Sequence, residues 1–436
     1  MRFLYSIAWR ILLPLVLLRL WWRGRKEPGY RQNVWERLGV YHGPSYAERR
    51  QPVLWVHAVS VGETRAAEPL IDALLRHYPE HVILLTHMTP TGRATGRALF
   101  ATYASRVVQC YLPYDIGSMV KRFLNHFAPQ VCILMETEVW PNTVAQCVRR
   151  GVPVALVNAR LSERSLAKGQ RIAALMGEAA RSLACVAAQT AADAARLTEL
   201  GARNAQVTGS IKFDVEPPSH AMEDGMALRS HFGTRPVLLC ASTRDGEEEM
   251  ILDALRDVDL GDAVLAIVPR HPQRFNDVAK LVASYGLSMV RRSAMEDSGV
   301  PSGVATPGVA TPGVKVLLGD SMGEMFTYYA ACDVAYIGGS LLPLGGQNLI
   351  EASALGKPVL LGPHTFNFSL VSEDAIDAGA ALRIEDARAM LRAAVRLMND
   401  PGRRVDMGVK ALAFAAQHRG AAQRTMALLQ PLVAHQ

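Results

Sequence analysis

The stretch PVLWVHAVS (52–60), followed by VGETRAAEPLIDALLRHYPE (61–80) and HVILLTHMT (81–89), decides the fold. Two apolar runs of strand length flank a segment whose apolar residues recur with helical spacing. Such near-continuous apolar strands separated by a helix predict a parallel sheet covered on both faces. The pattern repeats outward. Arg106–Tyr114, Gln130–Glu138, Val152–Arg160 and Cys185–Thr190 read as further strands, and Thr64–His77 and Ala191–Leu200 as helices. A polar stretch with Pro217, Pro218 and Gly225 interrupts it. It resumes at Arg235–Thr243, Asp262–Arg270, Leu287–Arg292, Lys315–Asp320, Val334–Ser340 and Lys357–Pro363, and helices follow over about 386–434. The expected fold class is therefore α/β, with two Rossmann-like domains facing a cleft. The predicted domains are an anchor with its basic flank at 1–26, an N-terminal Rossmann-like domain at 27–213, a linker at 214–234 and a C-terminal Rossmann-like domain with terminal helices at 235–436.

The net charge of +7 is concentrated. Residues 1–50 carry ten Lys/Arg against three Asp/Glu, and the remainder is balanced. That placement speaks against a nucleic-acid partner, which favours a basic stripe on a folded domain. Phe3–Trp22 is apolar except at Ser6, Arg10, Pro14 and Arg19, and as a helix it matches about one hydrocarbon thickness. Arg23, Arg25, Lys26, Arg31 and Arg37 follow, so the expectation is a membrane-anchor helix with the rest of the chain on the cytoplasmic side. Spanning and lying in the interface both remain open, and no small-residue cleavage site follows. The six cysteines form no C-x-x-C pair and predict neither a disulfide framework nor structural zinc.

Chemistry-bearing residues gather where strands end, the place ligands occupy in open α/β sheets. Glu63, in His57–Thr64, opens a helix beside Gly62, where helix N–H groups are expected to keep it ionised as a general base. A helix-start acid that merely complements the dipole is the plainer alternative. Glu136 and Glu138 end another strand, and alternation is expected to put them on one side. They suit metal binding, hydroxyl orientation or a lysine partner. Lys212 closes the first domain at the hinge, where it could neutralise charge developing on a donor. Arg270 and His271 offer anion-binding donors. Gly338–Ser340, Gly345–Glu351 and Ser321–Glu324 combine glycines with helix starts and suit a nucleotide phosphate, with Asn348 as cap and Glu351 toward ribose. No dinucleotide-binding Gly-x-Gly-x-x-Gly and no Walker A motif is present. Asp257-Val258-Asp259 lies away from these motifs, so no metal and no cofactor is expected. The tandem GVATPGVATPGV (303–314) reads as an exposed loop expansion.

The motifs SVGET (60–64), METEVWPN (135–142), NARLSERS (158–165), TGSIKFD (208–214), PRHP (269–272), GDSMGE (319–324), GGS (338–340) and GPHTFNF (362–368) occur in one order. In combination they resemble the 3-deoxy-D-manno-octulosonic acid (Kdo) transferases of lipopolysaccharide assembly, over nearly the whole chain. The resemblance implies a GT-B glycosyltransferase fold, a CMP-Kdo donor, a lipid A precursor (lipid IVA) as acceptor, and the inner membrane as location. It implies Glu63 as proton acceptor and Glu136 and Lys212 as transition-state-stabilising residues. CMP contacts map onto Arg270, His271, Met322, Gly323, Glu324, Asn348, Leu349, Ile350 and Glu351. Two departures are the GVATP insertion and Leu349-Ile350, where Pro-Leu is common. A nucleotide-sugar epimerase of the same architecture and a non-enzymatic membrane scaffold are the competing readings.

Overall fold

The computed structural model describes residues 1–46, 48, 50–296 and 313–434. The chain forms two compact units, residues 1–214 with 418–436, and residues 215–417. All but two residues of the GVATP tandem lie outside the described residues.

The first unit is built on seven parallel strands among the described residues: β1 (Val53–His57), β2 (Val82–His87), β3 (Val107–Tyr111), β4 (Val131–Met135), β5 (Val154–Ala159), β6 (Cys185–Ala188) and β7 (Ala205–Val207). Their spatial order is β3-β2-β1-β4-β5-β6-β7. The order reverses between β1 and β4, which makes their carboxyl ends the switch point where a ligand crevice opens. Every residue of β1, β2 and β4 is buried. One face packs a cluster around Trp55, Leu84, Phe123 and Leu134, and the other a cluster around Leu54, Leu70, Ile133 and Leu429.

The second unit repeats the plan with β8 (Val237–Thr243), β9 (Val264–Pro269), β10 (Met289–Arg291), β11 (Val316–Leu318), β12 (Val334–Ile337), β13 (Val359–Leu361) and β14 (Ala381–Arg383). The order is β10-β11-β9-β8-β12-β13-β14, again all parallel, with the reversal between β8 and β12.

Two expectations need correction. The last helix, Ala421–Ala434, belongs to the first unit, not to a second domain running to residue 436. Met426, Leu429 and Val433 bury against helix Val61–His77, and Asp214 accepts from the N–H groups of Gly420 and Ala422 (2.8 and 2.6 Å) to start that helix. The stretch 214–234 is not wholly a linker, because it contains helix Ala221–Ser230, packed on helix Met325–Ala331. Gly225 is the reason these helices meet: a Cβ there would lie 2.2 Å from the Ala330 Cβ. Strands β7 and β14 were not foreseen.

The apolar N-terminal segment is one helix, Arg2–Arg23, of mean hydropathy 1.7 over its best window. Its first turns rest on the first unit. Arg2 pairs with Glu178 (2.9 Å), Ser6 donates to Asn142 Oδ1 (3.1 Å), and Trp9 stacks on Tyr114 at 5.9 Å. Phe3, Leu4, Ile11, Leu15, Leu18, Trp21 and Trp22 are exposed.

If the terminal helix completes the first core, Leu429→Ala should cost about 2–5 kcal/mol of stability. Denaturant unfolding of the full chain measures this, and an unchanged midpoint would remove Leu429 from the core.

Candidate active site

At the switch point of the first sheet the chain leaves β1 through Ala58–Ser60 and enters helix Val61–His77. This turn is clamped. The Met88 and Thr89 N–H groups donate to the Val59 carbonyl (3.1 and 3.2 Å). Thr64 Oγ1 donates to the Ser60 carbonyl (2.8 Å), and a Cβ on Gly92 would come within 3.2 Å of the Val59 oxygen. Beneath the turn, His87 Nδ1 lies 3.0 Å from the Ala58 carbonyl, and His57 Nδ1 lies 2.8 Å from Thr86 Oγ1. Burial holds His57 down to about 3 and His87 to about 4, so both rings are neutral supports at physiological pH. Neither was singled out in the sequence, since a histidine inside an apolar run gives no sign of what it supports.

The clamped turn aims Glu63. The Val59 N–H donates to its Oε2 (2.8 Å) and the Ser60 hydroxyl to its Oε1 (3.3 Å). The expectation that helix N–H groups keep Glu63 ionised needs correction. Burial, with the nearby carboxylates of Glu138 and Glu136, pushes its pKa up to about 7 against the pull of the Val59 amide. A carboxyl poised near neutrality can both hold and release a proton at working pH, the condition general base catalysis favours.

Strand β4 ends at Met135, so the alternation argument does not reach Glu136 and Glu138. Glu136 instead takes a left-handed conformation (φ 57°), rare for a side chain bearing a Cβ. Its N–H still donates to the Val157 carbonyl (3.0 Å), and its Oε1 meets Lys212 Nζ at 2.6 Å. Of the roles open to the acid pair, Glu136 thus has its lysine partner. Glu138 is raised by burial and by Glu136.

Asn158 holds Lys212 in place. It sits in β5 where the register shifts between Leu156 and Ala159, and it too is left-handed (φ 50°). Its Oδ1 accepts from the Ile211 N–H (3.1 Å) and the Ser210 hydroxyl (3.4 Å), fixing the turn that carries Lys212. The first unit therefore brings Glu63, Glu136, Glu138 and Lys212 together.

In the second unit, Arg270 and His271 follow β9. His271 is lowered by partial desolvation and by Arg244, Arg270 and Arg274 around it. Glu351 is raised by burial, while the Asn348 amide and Arg270 oppose that rise. The helix expected from Asn348 is one short turn, Ile350–Ala354, and Asn348 Oδ1 already accepts from the Ile350 N–H (3.0 Å). Its dipole is accordingly small, and the buried Leu349 and Ile350 side chains belong to the core. Met322 is exposed, Gly323 is left-handed (φ 86°), and Glu324 pairs with Arg292 (2.9 Å) at the start of helix Met325–Ala331. Asp257 pairs with Arg388 (2.6 Å) and Asp259 accepts from the Gly261 N–H (2.8 Å).

Residues 32–215 match the family described as 3-deoxy-D-manno-octulosonic-acid transferase (kdotransferase). A protein of Bordetella pertussis named 3-deoxy-D-manno-octulosonic acid transferase is 46% identical over 442 residues, covering 98% of this chain and 99% of that one. One of the same name from Haemophilus influenzae is 35% identical, covering 99% and 98%. A solved glycosyltransferase from Rickettsia africae superposes with a TM-score of 0.58 at 11% identity, covering 88% of this chain and all of that one, a likeness of fold. Two parallel Rossmann-like sheets and similarity to these relatives over nearly the full length make the chain a GT-B glycosyltransferase of the 3-deoxy-D-manno-octulosonic acid (Kdo) transferase family.

Proposed function

We propose that the protein transfers Kdo from CMP-Kdo to a lipid A precursor, lipid IVA, with inversion at the anomeric carbon and Glu63 as the general base. The observation that carries this reading is the Glu63 carboxyl, aimed by Val59 and Ser60 and raised to about 7. A sugar hydroxyl is a poor nucleophile at neutral pH. Glu63 takes its proton as the hydroxyl oxygen attacks the anomeric carbon, and the bond from that carbon to the phosphate oxygen breaks. CMP leaves as a phosphate monoester. A single base opposite the leaving group gives one displacement and no covalent intermediate.

Lys212, held on Glu136 at 2.6 Å, supplies positive charge where negative charge develops. Arg270 and His271 receive the phosphate, joined by backbone groups at Met322–Glu324, while the Asn348–Glu351 segment completes the CMP site with Glu351 toward the ribose. The family relationship favours transfer over epimerisation or scaffolding. Neither a metal nor a cofactor enters the reaction as proposed.

We place the enzyme at the cytoplasmic face of the inner membrane. The exposed apolar face of helix Arg2–Arg23 and the basic residues after it suit an anionic leaflet. A shortened protein lacking residues 2–22 should bind vesicles weakly and in a salt-sensitive way, while its thermal melt, followed by circular dichroism, reports that the fold survives. Retention on vesicles at high salt would remove the anchor role.

Glu63→Gln should lower transfer by about 10²- to 10⁴-fold with CMP affinity retained. In the native enzyme the rate should fall as pH drops through about 7, because the base acts ionised. Near-normal turnover by the variant would exclude Glu63 as base. The same shift has a stability counterpart. A raised carboxyl favours the folded state below its unfolded pKa, and that contribution is lost as pH rises through about 7. Glu63→Gln should therefore raise the melting temperature at pH 8 and not at pH 4, as scanning calorimetry would register.

A further inference from the structure

The second sheet holds a cation that the functional reading leaves unused. At the end of β8 the register shifts between Ala241 and Thr243, and Ser242 turns left-handed (φ 55°). The exit of β12 presses on this bulge: a Cβ on Gly338 would lie 2.5 Å from the Ser242 carbonyl oxygen. The next residue, Gly339 (φ 71°), faces Arg244, whose Cγ would stand 3.5 Å from a Cβ built there. The Arg270 N–H donates to the Thr243 carbonyl (2.9 Å). Arg244 and Arg270 are thus set side by side at the ends of neighbouring strands.

The carboxylates around them are already engaged. Glu247, fully buried, accepts from the N–H groups of Arg244 (2.9 Å), Gly339 (2.6 Å) and Leu341 (3.1 Å) and from the Tyr336 hydroxyl (2.7 Å). Glu248 accepts from Thr243 Oγ1 (2.7 Å) and pairs with Arg274 (2.9 Å). Asp245 also pairs with Arg274 (2.9 Å). Arg270 has Glu351 as an electrostatic neighbour. The Arg244 guanidinium has no hydrogen bond or ion pair among the described residues, and it lies where glycines leave the backbone bare.

Accepting the donor proposed above, the ligand carries two anions, a phosphodiester and the carboxylate of the acidic sugar. Guanidinium groups match both by paired N–H donors. We propose that Arg244 receives the sugar carboxylate while Arg270 serves the phosphate, so that Arg244 selects an α-carboxylated sugar over a neutral one. The inference rests on the CMP-Kdo reading and adds to it the residue that recognises the acid.

The test uses the full chain. Arg244→Ala should raise KM for CMP-Kdo by about 10- to 100-fold, the loss of one charge-assisted contact. Its calorimetric affinity for CMP, which lacks the carboxylate, should stay within about twofold, and that binding also shows the variant is folded. Arg244→Lys should recover part of the loss, since charge returns without the paired donors. A donor with the carboxylate replaced by a carboxamide should be a poor substrate for the native enzyme, and Arg244→Ala should scarcely distinguish it from CMP-Kdo. Arg270→Ala should instead weaken CMP itself. Equal loss of CMP and CMP-Kdo in Arg244→Ala would make Arg244 a phosphate ligand and overturn the proposal, as would normal kinetics. A native enzyme that does not bind CMP would overturn the donor assignment and this inference with it.

Discussion

A parallel strand covered on both faces offers a polar side chain no exit along its length. In β1, β2 and β4 every position is buried, and the polar ones among them, His57, Thr86 and His87, turn to one another or to nearby backbone and amide groups. Groups meant to meet a ligand are thereby driven to the strand ends, and above all to the point where the strand order reverses. Both sheets obey this constraint. Glu63 and Glu136 follow β1 and β4, while Arg244, Arg270 and Gly338 follow β8, β9 and β12.

Near their switch points the two sheets share a device and differ in charge. Each has a left-handed residue that is not glycine beside a register shift, Asn158 in β5 and Ser242 in β8. In the first unit the bulge anchors a turn bearing Lys212, beside carboxylates that burial partly dehydrates. In the second it brings guanidinium groups to a glycine-lined backbone.

Much of this was legible in the residues, because strand-length apolar runs and strand-end motifs are local signals. Strands β1 to β6 and β8 to β13 all fall within the runs read from sequence. What was missed depends on distant partners. β7 and β14 lack the apolar run that marks the other strands, since β7 (AQV) is largely exposed with a polar centre and β14 (ALR) ends on an arginine. The docking of Ala421–Ala434 follows from Asp214 and from apolar positions some 350 residues upstream, which no local pattern reveals. Gly225 looked like a breaker and is a point of helix contact. The pKa of Glu63 reflects burial and two acids more than seventy residues away in the chain, whereas sequence reasoning saw only the helix it begins. Arg244 was passed over because a single arginine after a strand carries no signature until its neighbours' carboxylates are known to be engaged.

The return of the terminal helix to the first unit also orders the protein's birth. The polypeptide leaves that unit after residue 214, completes another whole unit, and comes back at residue 418. Strands β1 to β7 are translated before that other unit, and residues that seal one face of their sheet, among them Leu429 and Val433, only after it. Domains otherwise fold as units in order of synthesis. Here the second unit, residues 215–417, has its whole sequence before the first, whose sheet keeps one flank unsealed until Ala421–Ala434 has been made.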